Sequence, residues 1–241
     1  MDEFTVYLLS NNSTTHFPSN CSNSFTVKLN KSISFQNHAD WELAMTEIIY
    51  PSTICSLNGE RLIILKNNVQ HKVIHYPSVQ CVSLQELVHQ LNGSNSEYYK
   101  FSLEHQRVLK LTVRAPYTVV LDQALSDILC LDYTVVPHHV SPIWSGDTPS
   151  LTRNVDYLYV YTNIGQYVLV GDVQVPLLRY FPFNSSTASM KSKVFAKRLY
   201  VGLSQSYIEH IEVSIRDGAG ELVPFFGHTP TQLTLHFRQR H

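Results

Sequence analysis

Charge is scarce in this chain: only 15% of its 241 residues are Asp, Glu, Lys or Arg, and the formal net charge is −1 with the 12 histidines neutral. No global field of one sign exists to draw in DNA, RNA or an anionic membrane, so neither nucleic acid nor membrane is an expected partner. Long apolar runs are missing as well. Stretches such as Leu62-Ile63-Ile64-Leu65 fall far short of the roughly 20 residues a membrane-spanning helix needs. Cysteine is confined to Cys21, Cys55, Cys81 and Cys130, widely spaced and without a C-x-x-C pair, which predicts buried reduced thiols and no disulfide or zinc framework. The start, Met1-Asp2-Glu3-Phe4, is acidic and runs at once into strand-like sequence. It carries no basic region, apolar core and cleavage site, so the expectation is a protein that stays inside a cell. Asn-x-Ser/Thr triplets at Asn12, Asn20, Asn30, Asn92 and Asn184 then read as polar loops and not as glycan acceptors.

Catalytic patterns are equally sparse. Gly202-Leu203-Ser204-Gln205-Ser206 approaches a G-x-S-x-G elbow but has Ser206 in place of the second glycine and a strand after it. His138-His139 is the densest histidine pair, and adjacent residues of an extended chain point to opposite faces, which keeps both off one ion. Glu209 and Glu212 differ by an odd number and fall on opposite faces of one strand, so they do not form an acid/base pair. Gly165 and Gly171 have neither the spacing of a phosphate loop nor a helix behind them. The expected site inventory is therefore empty: no catalytic residue, no cofactor, no metal ligand, and no enzyme. One concentration of charge stands out, Lys191, Lys193, Lys197 and Arg198 with no acid among them. It reads as a solvated loop, or else as contact with an acidic neighbouring subunit or with packaged nucleic acid, which nothing else supports.

What the chain has in quantity is strand sequence. Hydrophobic residues make up 44% of it, enough to bury roughly three quarters of the unfolded surface around one core. Short runs rich in Val, Ile, Tyr, Phe and Thr are punctuated by Asn, Gly, Pro and Ser. Phe4 to Leu9, Phe25 to Leu29 and Trp41 to Tyr50 are the first strands, with a polar loop from Asn11 to Ser24 between the first two. Asn58-Gly59 and Asp217-Gly218 are hairpin cues, since both residue types tolerate positive φ. After Tyr207, a core face of Tyr207, Ile211, Val213 and Ile215 opposes a wet face of His210, Glu212, Ser214 and Arg216. Leu233, Leu235 and Phe237 likewise alternate with Gln232, Thr234, His236 and Arg238.

Only two helices are expected. Ser83 to Asn92 has a Ser83-x-x-Glu86 capping box and the Asn92-Gly93 stop. Asp122 to Leu129 has Asp122 as its cap. Ten or so strands with two brief helices predict an all-β, antiparallel β-sandwich with the helices in connecting segments. A single domain over residues 1–241 is the simplest organisation, with 52–150 a possible insertion or set of elaborated loops. Pro137 to Pro149 is the best break in the chain and reads better as a loop inside one domain than as a boundary.

Several segments go further. Val155 to Ile164, then Val170-Gly171-Asp172-Val173-Gln174-Val175-Pro176-Leu177-Leu178-Arg179, resemble an aromatic strand followed by "VGD-x-x-VPLLR" in the minor capsid (penton) proteins of Polinton/Maverick elements, which are related to virophage and adintovirus penton proteins. Trp41-Glu42-Leu43-Ala44-Met45-Thr46-Glu47-Ile48-Ile49-Tyr50-Pro51 is similar to a strand of that family, and so are Phe4 to Leu8, Phe17-Pro18-Ser19-Asn20, Ile211 to Pro224 and Thr234 to Arg238. Residues from about Ser52 to Pro149 match only in style, and Cys130 stands where relatives more often have glycine, which leaves the form of that helix C-cap open.

The resemblance implies a single jelly-roll structural protein of the virion. It would form homopentamers at the vertices of an icosahedral capsid, beside a double jelly-roll major capsid protein, and be assembled in the host cytoplasm or nucleus. The 14 tyrosines suit such contacts, and the loops Asn11 to Ser24 and Pro137 to Pro149 are candidates for touching neighbours. The alternative is a β-sandwich module that binds a receptor or carbohydrate, against which Trp41 and Trp144 are the only tryptophans. A capsid-maturation cysteine protease is a further rival, with no motif placing any cysteine beside a histidine and an acid.

Overall fold

The protein was analysed as a computed structural model that describes residues 3–184, 189–227 and 229–240. Met1 and Asp2 of the acidic start, and the two serines after Asn184, lie outside them. The chain divides into two compact units, one of residues 1–53 and 155–241, the other of residues 54–154. The second is continuous in sequence and interrupts the first. Pro137 to Pro149 falls inside it and not at its edge.

The first unit starts with β1 (Glu3–Leu9), β2 (Ser24–Ser34) and β3 (Trp41–Pro51). Within the second unit come β4 (Arg61–Lys66), β5 (Val69–His75), α1 (Leu84–Asn92), β6 (Tyr99–Glu104), β7 (Val108–Val113), β8 (Tyr117–Leu121), α2 (Gln123–Ile128), β9 (Val135–Pro137) and β10 (Ile143–Trp144). The chain returns to the first unit as β11 (Tyr157–Thr162), β12 (Val168–Val170), β13 (Val173–Val175), β14 (Leu177–Pro182), β15 (Met190–Val194), β16 (Val201–Gly202), β17 (Tyr207–Arg216) and β18 (Gln232–Gln239).

Two antiparallel sheets form the first unit. One runs β1-β18-β3-β15, with β16 continuing β15 along the same edge of β3, and the other runs β14-β11-β17-β2. If β15 and β16 count as one interrupted strand and the small β12–β13 ribbon is set aside, eight strands remain among the described residues of this unit. The first pairs with the eighth, the second with the seventh, the third with the sixth and the fourth with the fifth. That is a long antiparallel ribbon rolled up on itself, the jelly roll. The all-β jelly-roll sandwich with two short helices is therefore the architecture.

Alternation fills the space between the sheets. Leu43, Met45, Ile48 and Tyr50 of β3, Leu158 and Val160 of β11, and Ile211, Val213 and Ile215 of β17 are all buried. At one end Phe4 stacks on Phe237 at 4.7 Å, and Trp41 packs against Phe35 at 5.0 Å.

Two deviations have a local cause. Tyr207 is exposed and Ile208 is buried, because a register shift between Ile208 and His210 inverts the phase of β17 at its start. On β18 a shift between Thr234 and Leu235 accompanies burial of both Thr234 and His236, so the face read as wet is largely covered. The two hairpin cues also resolve differently. Asn58-Gly59 joins no two strands of one sheet, because β3 pairs with β18 and β15 while β4 pairs with β5 and β8. The tight turn of that region is Asn67–Asn68, both at positive φ, between β4 and β5. Asp217-Gly218 turns the chain only far enough for a single bridge from Arg216 to Leu222, and β18 then lies in the opposite sheet from β17.

The second unit has a four-stranded sheet, β5-β4-β8-β9, a three-stranded sheet, β10-β7-β6, and its own buried cluster that includes Leu62, Leu87, Leu91, Phe101, Leu111 and Leu125. Ser83 caps α1 by accepting from the Glu86 N–H, and Glu86 in turn accepts from the Val82 N–H. At the other end the hydroxyls of Tyr76 and Tyr99 both donate to the Leu91 carbonyl at 3.0 Å, satisfying a group that a helix C-terminus leaves unpaired. Asp122 caps α2 through the Leu125 N–H. Cys130 adopts φ 53°, with Leu131 N–H bonded to Ser126 O and Cys130 N–H to Asp127 O. This is the Schellman closure normally left to glycine, made here by a cysteine in the left-handed region. Among the described residues no helix is long and apolar enough to cross a membrane.

Candidate functional site

The residues flagged for chemistry are scattered. Burial pushes the thiols of Cys55, Cys81 and Cys130 up from their ordinary range, which disfavours the thiolate a nucleophile needs. Cys21 is exposed and its Sγ lies 2.9 Å from Asn23 Oδ1. His138 and His139 sit in a turn, where their rings meet edge to face at 5.5 Å instead of pointing apart. Glu209 pairs with Lys28 and Glu212 with His210, at 3.9 and 3.5 Å, so the two carboxylates serve separate partners. Ser204 Oγ donates to Asn163 O. Gly171 turns the β12–β13 ribbon at φ 62°. Among the described residues no group of three His, Cys, Asp or Glu side chains could hold a metal ion.

The basic stretch is not one loop. Lys191 and Lys193 lie on the edge strand β15, where lysine discourages open-edge pairing. Lys191 Nζ donates to Asn184 O at 2.7 Å. Beyond it, Lys197 O accepts from Arg179, whose guanidinium lies 3.9 Å from the centre of the Phe195 ring. Arg198 reaches Tyr200 and His236.

The feature the structure does assemble is the outer face of the sheet β14-β11-β17-β2. Strict alternation along β11 sends Leu158, Val160 and Thr162 inward, where they are buried, and Tyr157, Tyr159 and Tyr161 outward. Tyr180 of β14 stands directly opposite Tyr159 and stacks on it at 5.7 Å. Arg216 of β17 is the other neighbour of Tyr159, while Ser214 is opposite Tyr161 and Ser24 opposite Ser214. Burial, reinforced by nearby Tyr159, raises the Tyr161 hydroxyl above its ordinary pKa although Arg216 pulls the other way. At the top of this face Tyr167, which is 66% exposed, and Pro176 flank a cleft of about 380 Å³ whose floor is the Ser24, Ser214, Tyr161 row with Glu212 and Arg216. Apart from Glu212, weighed in the sequence only as half of an acid/base pair with Glu209, none of these residues was singled out there as a site. The signal that marks them is the Tyr-x-Tyr-x-Tyr period of two.

Beside the cleft projects the β12–β13 ribbon. Its register puts Val168, Val170, Val173 and Val175 on one face and Leu169 with Gln174 on the other. Leu169 is 69% exposed and Val173 56%. The turn of this ribbon, β13 and the start of β14 lie in the segment that carries the "VGD-x-x-VPLLR" resemblance.

Fold and surface together define a jelly-roll protein with a tyrosine-lined outer face and an open polar cleft. Among solved structures, the crystal structure of the selenomethionine-labelled penton protein of mavirus matches over 98% of this chain and 99% of that one, with a TM-score of 0.47 and 12% identity. No family model matches the chain, and no curated protein sequence does. The jelly-roll assignment stands on the strand pairing itself.

Proposed function

We propose that this chain is a structural coat protein of the penton type, acting by self-association: five copies close a ring at the vertex of an icosahedral capsid, next to a double jelly-roll major capsid protein. Its place of work is then the virion, and it has no reaction to catalyse. The observation that carries the reading is the eight-strand jelly roll of the described residues, bearing a two-stranded ribbon on which Leu169 and Val173 are exposed. Jelly rolls recur in viral coats and lectins, and a fold does not fix a function by itself. The ribbon adds the specific argument. A two-stranded hairpin is marginal in water on its own, and this one leaves aliphatic side chains uncovered where a neighbour's surface can bury them. A ring needs contacts between two different patches on each copy, and a ribbon that projects from the sandwich is suited to be one of them. The segments resembling penton proteins, Trp41 to Pro51 and Val170 to Arg179, supply β3, the ribbon's turn with β13, and the start of β14.

Native mass spectrometry of the purified chain, alone and with its major capsid partner, tests the reading. A five-fold mass is expected, either alone or on mixing, and Val170→Asp with Val173→Asp should return the protein to a monomer of unchanged circular dichroism. A parent protein that stays monomeric under both conditions rules the proposal out.

A further inference from the structure

We propose that the cleft beside Tyr167 is a binding site for a neutral saccharide of one or two rings. Ser24, Ser214 and Tyr161 are in register across β2, β17 and β11, so three hydroxyl-bearing side chains stand side by side on one face, two serines close to the sheet and Tyr161 reaching a ring's length beyond them, each able to donate and accept. A sugar presents hydroxyls with the same dual character along its ring, and a row of such groups matches it without demanding a charge.

The charged lining points the same way. One carboxylate, Glu212, and one guanidinium, Arg216, border the cleft. Arg216 is held in place by donating to Gly220 O at 2.7 Å, and Glu212 reaches His210 at its outer side. Opposite signs in equal number favour a neutral ligand over a phosphate or an acidic sugar, and carboxylate and guanidinium are the stronger hydrogen-bonding partners for hydroxyl groups.

The wall supplies what the floor lacks. Tyr167 shows two thirds of its surface to solvent, and Pro176 is tied to β11 by the Thr162 N–H to Pro176 O bond of 3.1 Å. A pyranose has one face of C–H groups, which packs against the electron-rich face of an aromatic ring. At about 380 Å³ the cleft is near the small end of ligand sites, room for one or two sugar rings and not for a long chain in full contact. It is also open, so weak, reversible binding is expected. A polar, hydroxyl-lined cleft with an exposed tyrosine is a poor seat for an aliphatic ligand, which would strand these groups without partners.

Saturation-transfer NMR and titration calorimetry on the full chain, with lactose, cellobiose, mannobiose and N,N′-diacetylchitobiose as probes and 3′-sialyllactose as the acidic comparison, decide the matter. At least one neutral disaccharide should bind with a Kd near ~1 mM, and Tyr167→Ala should weaken it about tenfold. The control Tyr180→Ala lies outside the cleft and should leave binding unchanged. The inference is overturned if no neutral probe binds at about 10 mM, if Tyr167→Ala binds as tightly as the parent, or if sialyllactose binds better than lactose. Binding is a property of one chain, so it is read whether or not rings form, and a monomer that binds sugar would sink the coat-protein reading while leaving this one standing.

Discussion

The two units reach a buried core by opposite routes. In the jelly-roll unit the first strand pairs with the last, Glu3 opposite Arg238 and Phe4 opposite Phe237, so the sheet β1-β18-β3-β15 is complete only when both ends of the chain are in place. The inserted unit is one continuous stretch that starts from local hairpins, β4 with β5 and β6 with β7, and joins them by pairings that stay within the stretch, β4 with β8 and β7 with β10. Local closure costs less chain entropy than distant closure. The comparison teaches that a rolled-ribbon fold can carry a large insertion between its third and fourth strands provided the insertion satisfies itself.

The largest test of that independence is Phe237→Ala. Phe237 is fully buried and stacked on Phe4, so the truncation should cost about 3–5 kcal/mol. Calorimetry should show that loss in one transition only, assigned to the jelly roll, while the transition of residues 54–154 stays put. If both transitions move together, the units are not separate cooperative blocks.

Much of the strand and helix pattern was readable from the residues. Strands β1 and β3 and both helices fall close to their expected bounds, because alternation and capping are local rules acting on neighbours in sequence. What failed was partner choice. Asn58-Gly59 and Asp217-Gly218 are genuine turn formers, but a turn cue says only that the chain bends, not which sheet the next strand joins. The phase error at Tyr207 has the same origin, since one extra residue at a bulge reverses every face before it. The tyrosine face was legible in principle: Tyr157, Tyr159 and Tyr161 alternate with buried residues. The cleft was not, because Ser24, Ser214, Tyr167 and Arg216 are brought together only by the rolled topology.

A second test concerns how the insertion is closed at its ends. Glu60 is buried and paired with Arg153, which stands next to the return point at Asn154. Glu60 also accepts the Asn58 N–H, so near the start of the unit the carboxylate binds both a local backbone group and a side chain from the unit's far end. Arg153→Met leaves that carboxylate buried and unpaired. Because Arg153 is one fifth exposed, the cost should be below the range for a fully buried pair, about 2 kcal/mol. It should appear in the insertion's transition alone, and Glu60→Met in the same chain should recover most of it. A double variant no more stable than Arg153→Met would mean that the pair is not what closes the unit.

The smallest effect returns to the jelly-roll unit and depends on pH. His236 is 7% exposed on the face of β18. Its Nε2 lies 3.3 Å from Glu3 and 3.4 Å from Arg198, its Nδ1 is 3.2 Å from the Tyr200 hydroxyl, and Arg238 stands nearby over the Tyr200 ring. Burial, then Arg198, lowers its pKa from the ordinary 6.5, with Glu3 opposing. The unfolded chain therefore takes up a proton first as the pH falls. The stability linked to His236 is fully present above the unfolded value near 6.5 and is lost as the pH drops through the lower folded value. Between about pH 7.5 and pH 5 the jelly-roll transition should fall more steeply in the parent than in His236→Gln, with the insertion's transition indifferent to the substitution. Equal slopes in parent and variant would show that the Glu3 carboxylate cancels burial and Arg198, and a shallower fall in the parent that it outweighs them.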